Sequence, residues 1–130
     1  MSRIVDDRTG LEIIPPDECL PLLASAQVGR LAFSIGGGID LLPVNYVLVG
    51  RDVVFRTAAG TKWRDGPGAV AAFEVDELHP ELRTGWSVVV HGRLEPLEGD
   101  APEGLVPWSG SPKPHLLRLV SDTITGRRIS

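Results

Sequence analysis

Residues 43–62 read PVNYVLVGRDVVFRTAAGTK and carry the pattern that decides the fold. Apolar residues occupy both alternating faces of residues 43–49, which is typical of a strand covered on two sides or buried at a subunit contact. Gly50-Arg51-Asp52 predicts a tight turn, because Gly adopts a positive φ without steric cost. Residues 53–55 are β-branched or aromatic and resume a strand. The stretch therefore predicts a β-hairpin.

A polar and basic cluster follows this hairpin directly. Arg56, Thr57, Thr61 and Lys62 supply two cations and two hydroxyls, and Gly60 allows backbone N–H groups to approach closely. These are the groups that bind an anionic phosphate, and a helix beginning near Thr61 would add a favourable dipole. The alternative is that Arg56 and Lys62 are ordinary surface cations at a strand end, since the spacing matches no recognised phosphate loop.

Length and composition limit the classes of protein that the chain resembles. Its 130 residues predict one domain, residues 1–130, in which residues 1–11 form an arm. A net charge of −4 predicts no binding to nucleic acid or to an anionic membrane, and no apolar run is long enough to span a membrane. The single cysteine, Cys19, excludes an intramolecular disulfide and indicates a reducing compartment. We therefore predict a cytoplasmic protein.

Hydrophobic periodicity predicts short strands and one principal N-terminal helix. The helix covers residues 15–27, where proline stands near the start and leucines supply the apolar positions. Residues 11–14 are expected to pair at a sheet edge or to remain part of the arm. The six main strands are expected at residues 28–35, 39–49, 53–55, 69–75, 86–94 and 115–120, and residues 123–129 close the chain. Successive hairpins of this kind predict a mainly β fold of the α+β class, an antiparallel barrel.

Other polar residues are weaker candidates for a site. Glu74, Asp76 and Glu77 could act in acid–base chemistry or hold a hard metal, but a solvated strand end is the better interpretation, since no His or third ligand is expected close in sequence. A lone strand histidine such as His91 is more often a surface or hydrogen-bonded residue than a catalyst. Cys19 is expected to pack as a small apolar group. We predict no metal site and assign no catalytic residue.

The order and spacing of six segments resemble the pyridoxamine 5′-phosphate oxidase-like family of flavin-binding split-barrel proteins, in particular its small single-domain actinobacterial-type members. The resemblance covers residues 12–129. Its segments are VGRLAFS (28–34), PVNYVLVGRDVVFRTAAGTK (43–62), VAAFEVDEL (70–78), GWSVVVHGRLEPL (85–97), PWSGSPKPHLLRL (107–119) and ITGRRI (124–129).

The resemblance implies a six-stranded antiparallel split β-barrel that forms a homodimer with FMN at the subunit interface. It assigns the flavin phosphate to Arg56, Thr57, Thr61 and Lys62. The strand under the isoalloxazine ring would then be that of Pro43, Val44, Asn45 and Tyr46, and the facing strand that of Trp86 and Ser87. Trp108 lies in a loop that either lines the cofactor or substrate site or caps the barrel. The C-terminal Arg127 and Arg128 could contact phosphate or be solvated.

The function that the resemblance implies is that of an FMN- or deazaflavin-dependent oxidoreductase acting on a small planar acceptor. The cofactor carries the electrons in such proteins, so an absent acid–base pair does not argue against a reductase. A non-catalytic flavin-binding protein and a split-barrel scaffold that has lost its cofactor are the alternatives; the short segment at residues 63–68 favours the latter. Haem, which would need a ligand such as His91 or His115, is not favoured.

Overall fold

A closed antiparallel barrel dominates the computed structural model, which describes residues 4–57, 68–106, 108, 110 and 115–129. The elements in chain order are β1 Glu12–Ile14, α1 Pro16–Ala24, β2 Val28–Ile35, β3 Gly38–Val49, β4 Asp52–Thr57, β5 Val70–His79, β6 Thr84–Leu97 and β7 His115–Ile129.

Closure of the barrel depends on the length of β7. The strands lie in the order β1-β7-β4-β3-β2-β5-β6, and β6 pairs back onto β7, so the last six strands in this order form a ring. The first residues of β7 pair with β4, while nearly all of the strand from residue 116 to residue 129 pairs with β6. Every pairing is antiparallel. The predicted six-stranded antiparallel barrel with one principal N-terminal helix is confirmed, and β1 adds a seventh strand.

The N-terminal segment pairs with the barrel rather than leaving it. β1 pairs antiparallel with the end of β7, which confirms the edge-strand alternative predicted for residues 11–14. Asp6, only 8% exposed, accepts a hydrogen bond from Arg127 Nε at 3.0 Å. Glu12 accepts one from Arg128 Nη1 at 3.2 Å. Both C-terminal arginines are therefore engaged by carboxylates of the N-terminal segment.

The helix is shorter than the predicted 15–27. It begins at Pro16, which needs no intrahelical N–H partner, and Asp17 and Glu18 favour its first turn through the helix dipole. It ends at Ala24, where the following Ser25 directs its N–H and hydroxyl to the carbonyl of Leu22. Among the described residues, no helix is long and apolar enough to cross a membrane.

The core fills the barrel and continues under α1. Inward positions of the strands are apolar and almost fully buried, among them Leu31, Phe55, Phe73, Val88, Leu94 and Leu117. Cys19 and Leu23, one helical turn apart on α1, are also fully buried, so the helix closes the core on one side. Burial raises the pKa of the Cys19 thiol, which makes it a packing group, as predicted.

Several strands extend beyond the predicted ends. β5 continues to His79 rather than ending at residue 75, because its acidic residues pair with β6 throughout. β4 and β6 are also longer than predicted. The two predicted segments 115–120 and 123–129 form one strand, with an irregularity opposite His91 and Gly92.

Candidate functional site

The predicted phosphate-binding residues begin at the end of β4. Val53 and Phe55 point into the core, so strand alternation directs Arg56 outward and Thr57 inward. Thr57 is accordingly buried and Arg56 only half-buried. Only the Arg56 side chain is therefore directed to a ligand on the outer surface. Thr61 and Lys62, the other half of the predicted phosphate site, lie outside the described residues.

The four residues predicted under the flavin ring divide between the two faces of β3. Val44 and Tyr46 belong to the core, whereas Pro43 and Asn45 alternate with them and face outward. The Tyr46 hydroxyl donates a hydrogen bond to the carbonyl of Leu23. Its ring meets Phe73 edge-on, with centroids 4.7 Å apart, and burial raises the pKa of Tyr46 to about 12. The side chains of Val44 and Tyr46 are thus not available to a ligand on the outer face.

Asn45 and Arg56 lie side by side on the outer face. The last registered pair of β3 and β4 is Tyr46 with Phe55, and one position further brings Asn45 opposite Arg56. Side chains in such a position have Cβ atoms about 5 Å apart. The strand register therefore places an amide and a cation next to each other on the outer face.

Trp108 makes hydrogen bonds to two amide side chains. Its backbone N–H donates to Asn45 Oδ1 at 3.0 Å, and its indole Nε1–H donates to Gln27 Oε1 at 3.2 Å. The backbone carbonyl of Gln27 in turn accepts from Tyr46 N at 3.0 Å. The Trp108 residue is nevertheless 70% exposed. We call Gln27, Asn45, Arg56 and Trp108 the Trp108 cluster.

One atom of the Trp108 cluster is buried without a partner. Asn45 Nδ2 has almost no contact with solvent and no hydrogen bond within the part of the chain that the structure describes. An amide donor left in this condition costs about 1–3 kcal/mol. Unpaired buried polar atoms are rare in folded proteins and often mark a functional site. An acceptor supplied by a ligand would satisfy Asn45.

Gln27 was not predicted as a site residue. It was interpreted as the last residue of the helix, and neither hydrophobic periodicity nor charge distinguishes it. The only sequence signal is an amide placed directly before a strand, which is too common to be diagnostic. Its role is visible only once β2 and β3 are paired, because that pairing sets Gln27 beside Asn45.

Trp86 and Ser87 lie apart from the Trp108 cluster. Trp86 packs against the core, and Ser87, opposite Asp76 on β5, faces outward. Strands β2 and β5 separate β6 from β3, a span of roughly 14 Å at about 4.8 Å per strand. One subunit therefore does not bring these two predicted residues to Asn45.

An ion-pair group occupies the surface between the Trp108 cluster and the strand that carries Trp86 and Ser87. Arg30 Nη1 lies 3.0 Å from Glu74 Oε1 and 3.2 Å from Asp76 Oδ2. Partial burial and the neighbouring Asp76 raise the pKa of Glu74, and Arg30 opposes this shift. The group is a half-exposed ion pair on two strands rather than a solvated strand end. No cluster of three or more metal-binding side chains occurs in the ranges that the structure describes.

A shallow apolar depression lies further along the same outer face. Leu41, Ala32, Ala72 and His91 stand in one row across β3, β2, β5 and β6. Leu41 is 68% exposed and Ile39 is 79% exposed, which is high for large apolar residues. The depression has a volume of about 210 Å³ and is lined by Ala32, Phe33, Ser34, Ile39, Val70, Ala71, Ala72 and His91.

Comparison with known proteins agrees with this architecture. Residues 15–128 match the family model described as pyridoxamine 5′-phosphate oxidase. Rv0080, an uncharacterized protein of Mycobacterium tuberculosis, is 32% identical over 143 residues, covering 98% of this chain and 93% of its own length.

Two solved structures show the same fold. The FAD binding protein of Mycobacterium smegmatis is 30% identical with a TM-score of 0.74, covering 92% of this chain and 99% of its own. An FAD-binding protein from Mesorhizobium loti is 23% identical with a TM-score of 0.74, covering 92% of this chain and 99% of its own; at that identity the similarity concerns the fold alone.

Proposed function

The chain belongs to the pyridoxamine 5′-phosphate oxidase family, and we propose that it binds a flavin at the Trp108 cluster and acts as an oxidoreductase on a small planar acceptor. The observation that carries the proposal is the unpaired donor Asn45 Nδ2. It belongs to a side chain that also accepts the backbone N–H of Trp108 and lies beside Arg56 in the strand register. A flavin offers ring carbonyls to the donor, a phosphate to the cation and a planar ring to the indole.

Each residue of the cluster has a distinct task in this proposal. Arg56 holds the phosphate through charge-assisted hydrogen bonds. Asn45 donates to a carbonyl of the ring, and the indole of Trp108 supplies an apolar surface that covers the ring and excludes water. The flavin supplies the hydride or electron chemistry, while the protein binds and orients it.

The identity of the flavin is part of the proposal. FMN is the prediction from the sequence, a deazaflavin is the alternative, and the FAD binding of the Mycobacterium smegmatis relative adds a third choice. All three carry a phosphate that Arg56 could hold. We retain the cytoplasmic location as a prediction from the single cysteine, which is buried and free.

We further propose that the site is completed by a second copy of the chain. Trp86 and Ser87, assigned to the ring by the resemblance, are separated from Asn45 by two strands of the same subunit. A homodimer would let the partner subunit bring a facing strand to the ring. The exposed Ile39 and Leu41 supply an apolar surface for such a contact.

A titration of the purified protein with FMN, FAD and a deazaflavin, followed by flavin fluorescence, tests the proposal. We expect one of them to bind with micromolar or tighter affinity. Arg56→Glu should weaken that binding by roughly 1.5–3 kcal/mol, the range of a hydrogen bond to a charged group, or tenfold to a hundredfold. Arg51→Glu is the matched control, because Arg51 is exposed at the turn before the same strand.

Two outcomes would contradict the assignment. Equal losses in the Arg51 and Arg56 variants would mean that binding responds to net charge and not to the cluster. Absence of binding for all three flavins would leave the scaffold alternative, in which the barrel has lost its cofactor.

A non-catalytic flavin-binding protein is the second candidate. It is favoured by the burial of Asn45 Nδ2, because a covered donor indicates that access to the ring position is restricted. Stopped-flow mixing of the flavin-loaded protein with NADPH or with reduced deazaflavin separates the candidates. Reduction and reoxidation by a small planar acceptor within seconds would support an oxidoreductase; a bound flavin that is not reduced would support the second candidate.

A further inference from the structure

Both N–H groups of Trp108 donate hydrogen bonds to protein side chains, although most of the residue's surface is exposed. An exposed indole can donate to water, yet here the indole N–H goes to Gln27 Oε1 and the backbone N–H to Asn45 Oδ1. Both acceptors are side-chain amides; Gln27 directly precedes β2, and Asn45 lies opposite the first residue of β2 on β3.

The chemistry of tryptophan decides how both amides are oriented. Indole and backbone N–H groups can only donate, so each amide must present its oxygen to Trp108. Each NH₂ end is therefore turned away from Trp108 and remains a donor. The two NH₂ groups and the guanidinium of Arg56, which lies next to Asn45, are all donors. Such a set matches a ring edge rich in carbonyls, like the dioxopyrimidine edge of a flavin, and not an edge that carries amino groups.

The backbone of Gln27 is fixed at a point from which its side chain reaches Trp108. Its backbone carbonyl accepts from Tyr46 N, and the next residue, Val28, pairs with Asn45. Gln27 therefore starts from a fixed point next to Asn45, and its side chain needs to reach only the indole. The hydrogen bonds run in a chain from Gln27 through Trp108 to Asn45.

We propose that Gln27 is a positioning residue of the flavin site, which acts through Trp108 to fix the Asn45 carboxamide with its NH₂ group toward the ring carbonyls. This inference rests on the proposed flavin binding. It adds a residue that contacts neither phosphate nor ring and sets the specificity of the ring-edge contact. Without Gln27 the indole would lose its fixed orientation, and Trp108 would hold the Asn45 carboxamide less firmly through its backbone N–H.

A double-mutant cycle on the full-length protein tests whether Gln27 acts through Trp108. Gln27→Met removes the acceptor at nearly constant size, and Trp108→Phe removes the indole N–H but keeps the backbone N–H. We expect Gln27→Met to weaken flavin binding about threefold to tenfold, the range of one neutral hydrogen bond. In the Trp108→Phe background the same change should have no further effect. Gln27→Glu keeps an oxygen acceptor and should retain most of the riboflavin affinity that Gln27→Met loses.

Riboflavin lacks the phosphate of FMN, so a comparison of the two ligands separates the contribution of the ring edge from that of the phosphate. Because Gln27 acts on the ring edge, Gln27→Met should weaken riboflavin and FMN by the same factor, whereas Arg56→Glu should affect FMN far more. The indole N–H of Trp108, assigned by its loss in Trp108→Phe, gives an independent readout in ¹H–¹⁵N spectra of the flavin-free protein. We expect Gln27→Met to shift it upfield and Gln27→Glu to keep it near its wild-type position.

The outcomes distinguish this inference from the proposed function. If the wild type binds flavin and Gln27→Met binds it with equal affinity, the positioning role alone is overturned. An undiminished effect of Gln27→Met in the Trp108→Phe background would also overturn it, because Gln27 would then act without Trp108. A wild-type protein that binds no flavin would remove the proposed function and the positioning role together.

Discussion

At the scale of single residues, Glu74 is the carboxyl group whose environment most clearly opposes its charge. Burial comes first among the causes that raise its pKa above the ordinary 4.5, followed by the hydrogen bond and like charge of Asp76, while Arg30 acts in the opposite direction. The protonated form is therefore favoured in the folded state. The stability that this provides is fully present below pH 4.5 and is lost as pH rises through the raised pKa.

We accordingly expect Glu74→Gln to flatten the pH dependence of stability. In the wild type, the contribution of Glu74 to the free energy of unfolding should fall as pH increases above 4.5; a glutamine cannot ionise and should show no such fall. Urea unfolding at several values between pH 4.5 and 7.5 measures the difference between the two slopes.

Asp76→Asn provides the companion variant. It removes the like charge and keeps the Arg30 contact with Glu74, so the pKa of Glu74 should move down, which side-chain carbon NMR can follow. A wild-type Glu74 that titrates at or below 4.5, or identical slopes in the wild type and Glu74→Gln, would show that the ion pair with Arg30 outweighs burial.

The role of a single residue could be predicted from the sequence only where its charge or its place in the hydrophobic pattern distinguished it. Arg56 stood out because a cation follows an apolar strand, and the structure does direct it to the outer face. Tyr46 was assigned to the ring, yet its side chain lies in the core, because one pairing register decides which alternate residues face inward. Gln27 carries neither charge nor periodicity, so its contact with Trp108, 81 residues away in sequence, could not be anticipated.

At the scale of elements, the contact of β6 with β7 depends on a glycine. A Cβ atom placed on Gly92 would lie 1.8 Å from the carbonyl oxygen of Val120. Gly92 pairs with Ser121 at the irregularity where the register of the two strands shifts. The obstacle is backbone in a central ladder, and backbone in a closed barrel has little freedom to move away.

Gly92→Ala should therefore destabilise the barrel by at least about 3 kcal/mol, the upper part of the range for overpacking. Chemical unfolding measures the loss. Gly110→Ala is the matched control, since no atom of the described residues lies within 4 Å of the added methyl group, and it should change stability by less than about 0.5 kcal/mol. Similar values for the two variants would mean that β6 and β7 adjust to the methyl group at little cost.

The strand ends show why elements were only partly predictable. Alternation located β2 at residues 28–35, its observed range. β5 was expected to stop before its acidic residues, but pairing with β6 extends it to His79. Local sequence describes which residues can form a strand, whereas the partner strand determines how far it continues. For the same reason the two segments predicted at the C-terminus are one strand held by β6.

At the scale of the whole molecule, the outer face of the barrel is uneven. Around Arg30 it is charged, and around Leu41 and Ile39 it is apolar and exposed. Apolar patches of this kind on a folded protein often mark an interface. The resemblance implied a dimer, and the apolar character of both faces of residues 43–49 suggested a covered strand. In the single chain the outward residues of β3 remain partly uncovered.

We predict that this apolar part of the outer face is the contact between two copies, and that Leu41→Glu disrupts it. A carboxylate placed in the contact would lose its water without gaining a partner, which costs several kcal/mol. Sedimentation equilibrium should show a dimer for the wild type and a monomer for Leu41→Glu at micromolar concentration. Because the partner is proposed to complete the flavin site, flavin affinity should fall together with dimerisation.

Leu82→Glu separates a specific contact from a general effect of surface charge. Leu82 is also 68% exposed, but it lies in the turn between β5 and β6 and not on the strand face. The Leu82 variant should remain dimeric and bind flavin like the wild type. A dimer that survives Leu41→Glu would assign the contact to another surface. Dissociation in Leu41→Glu with unchanged flavin affinity would mean that one subunit forms the whole site, so that Trp86 and Ser87 have no part in it.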